Sequence, residues 1–302
     1  MRYDMHCHTK EGSLDAKVPV TEYARLLQKR GFTGMLVTDH NSYKGYRAWC
    51  KAKKELKRKN DPLADFVVLK GIEYDTLDAG HILVIMPKGL RLRILEVRGL
   101  PVQNLIKIVH QYGGILGPAH PYGAKFLSTM FSKKLARTPN LIHDFDFIEA
   151  FNSCEKKESN QNARALTNAY RKPGFGGSDS HKAMYVGTAY TDINYPIRNN
   201  NDLIFAVKNG YVLGCGGEER EEVRQGKLWK LVPIATSWKV YNRGLAILKA
   251  KTRKTQLQFL RDMESIRKTL MAGKKENQQQ TEQETISEEE NVIQKETPAD
   301  TE

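Results

Sequence analysis

Six of the eight histidines stand at the edges of short apolar runs, and this spacing constrains the fold more than any other feature of the chain. His6 and His8 follow the opening apolar segment, Asp39 and His40 close "GMLVTDH", and Glu73 closes "FVVLKGIEY". His81 opens "HILVIM", His120 closes "GGILGPAH", and Asp179 and His181 follow "GFGGS". His110 and His143 fall outside this scheme and read as ordinary polar residues. A metal ion requires several imidazoles or carboxylates converging on one point, and strand ends converge around the mouth of a parallel α/β barrel. Side chains on a strand alternate with period two, so His6 and His8 face one side and suit one ion; Asp179 and His181 repeat the spacing. Each piece alone has an ordinary explanation, such as a helix cap in "TDHN" or a turn in "GSDSH". All of them together at strand ends favour ligands.

The rest of the chain supplies a matching frame. From Met1 to about Gly217, apolar runs alternate with helical patterns. One helix is predicted over Val20 to Arg30, with Thr21 placed to cap its start and Gly31 its end, and another over Pro101 to Tyr112, followed by Gly113. This alternation predicts an α/β domain with a largely parallel sheet. Residues 218–272 read as a basic, mainly helical extension. Residues 273–302 lack aromatics, cannot bury enough surface to offset their ordering entropy, and are expected to be an acidic disordered tail.

Charge bears on the partner. The formal net charge is +13, but Met271–Glu302 holds nine acids against three lysines, which leaves +19 on residues 1–270. Such an excess suits anionic partners: nucleotides, nucleic acid or acidic surfaces. The cysteines Cys7, Cys50, Cys154 and Cys215 are scattered singly and are expected to stay reduced, with Cys7 turned away from the two histidines that flank it. No apolar run has the length of a membrane span, and Met1 to Lys10 lacks a signal-peptide pattern, so a cytoplasmic protein is expected.

Taken in order, "DMHCHT", "TDHN", "GIEY" followed by "GH", "AHP" and "GGSDSH" resemble the successive motifs of the PHP (polymerase and histidinol phosphatase) domain. The resemblance covers about residues 1–217. It implies a distorted TIM-like (β/α)7 barrel, two or three divalent ions drawn from zinc, manganese and iron, and hydrolysis of phosphoesters. It also implies that His6, His8 and Asp179 hold one ion, with Glu73 bridging to a second held by His81 and His120. His40, His181 and an early acid would hold the third. The family's short "HTxxSDG" is replaced here by "HTKEGSLDA", so Asp15 is the choice for that acid and Glu11 the reserve. Asp4 and Asp39 neighbour the ligands and are expected to orient imidazoles, a role that metal-bound histidines generally require. His181, as proton donor to the leaving oxygen, and Asp39 are the expected catalytic residues. Asn152 is the expected substrate contact, with Glu149 beside it as a second candidate or a buried strand-end residue.

Clustered divalent ions acidify bound water and clamp phosphoryl oxygens during in-line displacement. The implied activity is release of phosphate from monoesters, with nucleotides or short oligonucleotide ends favoured by the basic body. A histidinol-phosphate-type phosphatase is the small-molecule alternative. Two other classes share parts of the pattern: an amidohydrolase, which also begins with H-x-H but normally bridges its ions with a lysine, and a non-catalytic metal-stabilised binding module.

Overall fold

In a computed structural model the described residues are 1–123, 127–219, 240–241 and 244–265. The chain divides into two compact units, Met1–Ala250 and Lys251–Glu302. In the second unit, residues 251–265 are helical. The expected disordered tail, 273–302, lies outside the described residues.

Among its described residues the first unit has nine strands: β1 (Arg2–Cys7), β2 (Gly34–Val37), β3 (Val67–Asp75), β4 (His81–Ile85), β5 (Ile115–Pro118), β6 (Ile148–Asn152), β7 (Gly174–Gly177), β8 (Ala189–Ile193) and β9 (Val212–Gly217). Interleaved with the strands are the helices α1 (Val20–Lys29), α2 (Lys44–Arg58), α3 (Val102–Gln111), α4 (Lys133–Arg137), α5 (Lys157–Tyr170) and α6 (Asn200–Lys208). A seven-stranded sheet runs in the order β5-β4-β3-β2-β1-β8-β9, beside a separate β6-β7 pair. That pair closes the curl between the two arms of the sheet. The Asp146 N–H donates to the Leu116 carbonyl on the β5 side, and the Asp179 N–H donates to the His6 carbonyl on the β1 side. β1 to β7 thus form a distorted seven-strand ring, and β8 and β9 extend it outside β1.

The sheet is mixed, which corrects the expectation of a largely parallel one. β1–β2, β2–β3 and β6–β7 pair in parallel, whereas β3–β4, β4–β5, β1–β8 and β8–β9 are antiparallel. The cause at β3–β4 is loop length. Only residues 76–80 join Asp75 to His81, far short of the dozen or more that a parallel crossover needs, and Gly80 (φ +70°) completes the turn. β4 therefore runs backwards, and its first residue, His81, reaches the same mouth as the last residues of its neighbours.

Two cores flank the strands. Tyr3, Met5, Leu36, Leu83, Ile115, Phe147 and Phe175 belong to one; Cys7, Tyr23, Leu27, Met35, Val37 and Trp49 belong to the other. Alternation along β2 feeds both, with Leu36 to the first and Met35 and Val37 to the second. Inside the ring the Phe147 and Phe175 rings stack at 4.0 Å, a contact of about 1 kcal/mol beyond their burial. Helix ends differ slightly from the sequence reading. α1 begins after Pro19 with no side-chain cap, so Thr21 does not cap it, while Gly31 (φ +78°) and Gly113 (φ +72°) follow α1 and α3 as expected.

Candidate metal centre

Every strand of the ring delivers a histidine or carboxylate to one mouth. His6 and His8 come from the end of β1, His40 follows β2, Glu73 and Asp75 end β3, and His81 opens β4. His120 follows β5, Glu149 and Asn152 lie on β6, and Asp179 and His181 follow β7.

A kink in β1 aims the first pair. Tyr3 and Met5 face the inner core and Cys7 the outer one, so strict alternation would send His6 outward. The pairing register with β2 shifts between Asp4 and Cys7, and His6 and His8 both turn inward. Their Nε2 atoms lie 3.1 Å apart. The backbone is held in the left-handed region at Asn41 (φ 47°), His120 (φ 29°) and Asp179 (φ 47°), a cost of about 1–3 kcal/mol each that accumulates around this mouth.

Three groups among the described residues have the geometry to share an ion: His6 with His8 and Asp179; His40 with Glu73 and His81; and His8 with His40 and His181. The His8 Nε2 stands 3.1 Å from Asp179 and 3.3 Å from Glu73, so Glu73 faces both of the first two groups. His120 presents Nε2 to the other Glu73 oxygen at 3.0 Å, without joining a three-membered group. Asp15 Oδ2 lies 3.3 Å from His181 and 3.7 Å from His40. Glu11, the reserve for that acid, is engaged elsewhere: its carboxylate accepts the Val20 N–H at the start of α1.

The donor set fits divalent ions. Buried polar atoms at Glu73 Oε2, Asp75 Oδ1, His81 Nε2 and His120 Nδ1 have no hydrogen-bond partner among the described residues, with His81 Nε2 and Asp75 Oδ1 3.1 Å apart. Imidazoles and carboxylates so arranged, with unspent lone pairs, suit zinc, manganese or iron. Without an ion, protons take the positive charge. Burial would lower the His81 pKa, but Glu73 and Asp75 outweigh it and push the value up to about 10. His181 is likewise raised to about 9 by Asp15 and Asp179 against burial. Burial would raise the carboxylates, yet the imidazoles hold Glu73 and Asp179 well below their ordinary values and Asp75 at about 2.

Several residues expected at the site have partners within the protein. Asn152 is buried, and its amide donates to Glu149 (3.2 Å) and Asp179 (3.2 Å) while its carbonyl accepts the Cys154 N–H. Both of its amide hydrogens are thus directed at carboxylates. Asp39, expected to be catalytic, is fully buried and engaged by Thr9, Ser13 and the Gly45 N–H. It meets the cluster through the Ser13 hydroxyl, which lies 3.1 Å from His8 Nδ1. Asp4 touches no imidazole ring. It ties β1 to Ser178 and Tyr23, and burial, opposed by the Ser178 hydrogen bonds, raises its carboxyl to about 6. Cys7 is buried in the outer core, as expected. His110 pairs with Asp146 and His143 packs on Tyr170, both away from the mouth.

Asp75 and Ser13 escaped the sequence reading, and Glu149, read there as a substrate contact or buried strand-end residue, sits behind an imidazole. Glu149 Oε1 lies 2.9 Å from His6 Nδ1, and Asp75 stands 3.1 Å from His81. Ser13 joins Asp39 to His8. The acids were legible as strand-end carboxylates in "DFIEAFN" and "IEYD"; the serine had no signal.

The structure is similar to that of PsfC from Pseudomonas syringae PB-5123, with a TM-score of 0.51 and 15% identity over 81% of this chain and 98% of that one. It is also similar to the lesion-specific endonuclease PfuEndoQ from Pyrococcus furiosus, with a TM-score of 0.54 and 16% identity over 78% of this chain and 66% of that one. At such identities the likeness establishes the fold alone. No curated protein sequence matches the chain. The PHP-associated family model matches residues 157–212. The PHP domain model matches residues 4–173, more than half of the chain, and with it the chain belongs to the PHP family of metal-dependent phosphoesterases.

Proposed function

We propose that this hydrolase of phosphoric ester bonds releases phosphate from monoesters, with nucleotides or short oligonucleotide ends as its substrates. The observation that carries the reading is the single mouth to which all seven ring strands contribute an imidazole or a carboxylate. His6, His8, Asp179, Glu73, His40, His81, His120, His181 and Asp15 would hold two or three divalent ions. Bound there, the ions would supply acidified water and neutralise phosphoryl oxygens.

The chain's own groups do the rest. Glu149 and Asn152 orient His6 and Asp179 from behind. His181 is the most exposed imidazole of the cluster, at 27% for its side chain, and its Nδ1 lies 3.1 Å from the Asp179 carbonyl. That contact occupies Nδ1 and leaves Nε2, 3.3 Å from Asp15 Oδ2, to hold the third ion in a three-ion centre or to give a proton to the leaving oxygen in a two-ion centre. Glu73 stands between the groups, near both His8 and His40, where it would bridge two ions, and Lys70, the lysine of the same strand, donates to the Leu90 carbonyl instead. This favours phosphoester over amide chemistry. The excess positive charge of residues 1–270 favours a polyanionic substrate. In this reading residues 1–217 are the catalytic domain, 218–272 a basic extension and 273–302 an acidic tail. Cys7, Cys50, Cys154 and Cys215 form no disulfide, which suits a reducing cytoplasm, and among the described residues no helix is long and apolar enough to cross a membrane.

The test is elemental analysis of the purified chain, followed by phosphate release from an aryl phosphate, nucleotides, sugar phosphates and short oligonucleotides. Turnover of nucleotides above sugar phosphates supports the reading. Silence of fully metallated protein on the whole panel would leave the non-catalytic module.

A further inference from the structure

A cleft of about 860 Å³ opens beside the mouth, with Asp75 and His81 on its inner wall. Arg98, Lys133, Lys134 and Arg137 line it farther out. The lining holds two acids, and both are engaged: Asp75 through Oδ2 by Arg98 (3.2 Å) and Asn41 (2.8 Å), Asp78 by the Val102 N–H at the start of α3 (2.9 Å). The cleft is therefore basic. Three of the cations sit on α4, which the Ser132 side chain caps through the Leu135 N–H.

Two further features point to a ligand. Phe131, in the wall, is 46% exposed, and its ring meets Tyr122 edge-on at 6.0 Å. Ser128, also in the wall, is 1% exposed, and its hydroxyl has no hydrogen-bond partner in the structure. A terminal phosphate at the mouth would use none of these groups, and the volume is near the upper end of the roughly 300–1,000 Å³ of small-molecule sites. Cations beside an accessible aromatic face are what a single strand meets when its bases stack and its phosphates are tracked.

We infer that this cleft holds the nucleotides next to the reacting phosphate, so that the single-stranded end of a polynucleotide is preferred to a free mononucleotide as substrate. Phe131 stacks on a base, Lys133 and Arg137 meet backbone phosphates, and the Ser128 hydroxyl hydrogen-bonds to the strand. The inference rests on the phosphoesterase reading for the position of the reacting end, but binding tests it without turnover.

The experiment is fluorescence anisotropy of the full chain loaded with manganese, using tetrathymidylate with a terminal thiophosphate and a dye at the opposite end. Unlabelled thymidine thiophosphate and a blunt duplex serve as competitors. The tetramer is expected to bind at least about 10-fold tighter than the mononucleotide, the scale of one or two stacked bases. Phe131→Ala is expected to remove most of that advantage. Arg137→Glu with Lys133→Glu should flatten the slope of log affinity against log salt by about 1.4, two single-strand phosphate contacts. Lys51→Glu with Lys54→Glu on α2, outside the cleft, controls for net charge. A mononucleotide or duplex that competes as well as the tetramer overturns the inference, as does a length advantage that survives both cleft variants. Length-dependent binding without phosphate release from any substrate would instead sink the phosphoesterase reading and leave the cleft standing.

Discussion

The Glu149 carboxylate lies 2.9 Å from His6 Nδ1, which leaves His6 Nε2 as the nitrogen that faces His8, Glu73 and Asp179. The other Glu149 oxygen accepts the His120 N–H at 2.6 Å, so one side chain on β6 orients an imidazole on β1 and the loop after β5. Removal by Glu149→Ala is expected to lower metal affinity about 10–100-fold, the usual effect of losing such a partner. Competition against a fluorescent chelator measures it; unchanged affinity would make Glu149 a packing residue.

Replacing His6 and His8 together by alanine is expected to remove the ion shared with Asp179 and all phosphate release. Elemental analysis and an aryl phosphate assay check both. Full activity in the double variant would mean that the strand-end histidines are structural.

The two early acids separate cleanly. Asp15→Asn is expected to lower metal stoichiometry or affinity at His40 and His181, its neighbours. Glu11→Gln is expected to leave metal content unchanged and to cost about 0.5–1 kcal/mol in urea denaturation, as it weakens a charge at the start of α1. The opposite pattern would exchange their roles.

Gly177 has no room for a side chain: a Cβ would lie 2.2 Å from the His6 Cβ and 2.8 Å from the His6 nitrogen. Gly177→Ala is therefore expected to push β7 from β1, destabilise the fold by about 1–3 kcal/mol and displace His6. Thermal melting and metal content read the two effects separately. A wild-type melt with full metal content would show that the ring closure tolerates a Cβ.

Stability should depend on pH in opposite senses with and without metal. His81 rises from 6.5 to about 10 in the fold, so its contribution is complete below pH 6.5 and is lost as pH climbs toward 10. Glu73 and Asp179 are depressed from 4.5 and 3.8, so theirs is present above those values and is lost on acidification. The metal-free protein is expected to be most stable between about pH 4.5 and 6.5, and to melt progressively lower from pH 7 to 10. With saturating manganese the melting temperature should rise between pH 6 and 8, because the ion displaces ligand protons. Melting curves in chelator and in manganese decide it; a metal-free protein that gains stability toward pH 9 would contradict the proton-filled mouth.

Much of the site was legible because ligand chemistry leaves residues that apolar strands do not otherwise carry. His40, Glu73, His120, Asp179 and His181 could be picked out as polar residues ending apolar runs. Roles were less legible than positions. Asn152 and Asp39 stood in the right places, but whether an amide or carboxylate faces substrate or a neighbouring side chain depends on which groups other strands bring. Ser13 could not be found, since its function exists only where Asp39 and His8 meet.

The amino-acid order by itself determined the α/β alternation, the helix ends at Gly31 and Gly113, and the pairing of His6 with His8 on one side of a strand, since these depend on neighbours within a few residues. Tertiary structure alone decided that this side faces inward, through the register shift between Asp4 and Cys7, and that β4 runs backwards so that His81 meets Glu73. It also decided that β6 and β7 close the ring. Alternation is a local property of the backbone, whereas register and closure are set by pairing between segments far apart in the chain, where a shift of one residue exchanges the buried face for the exposed one.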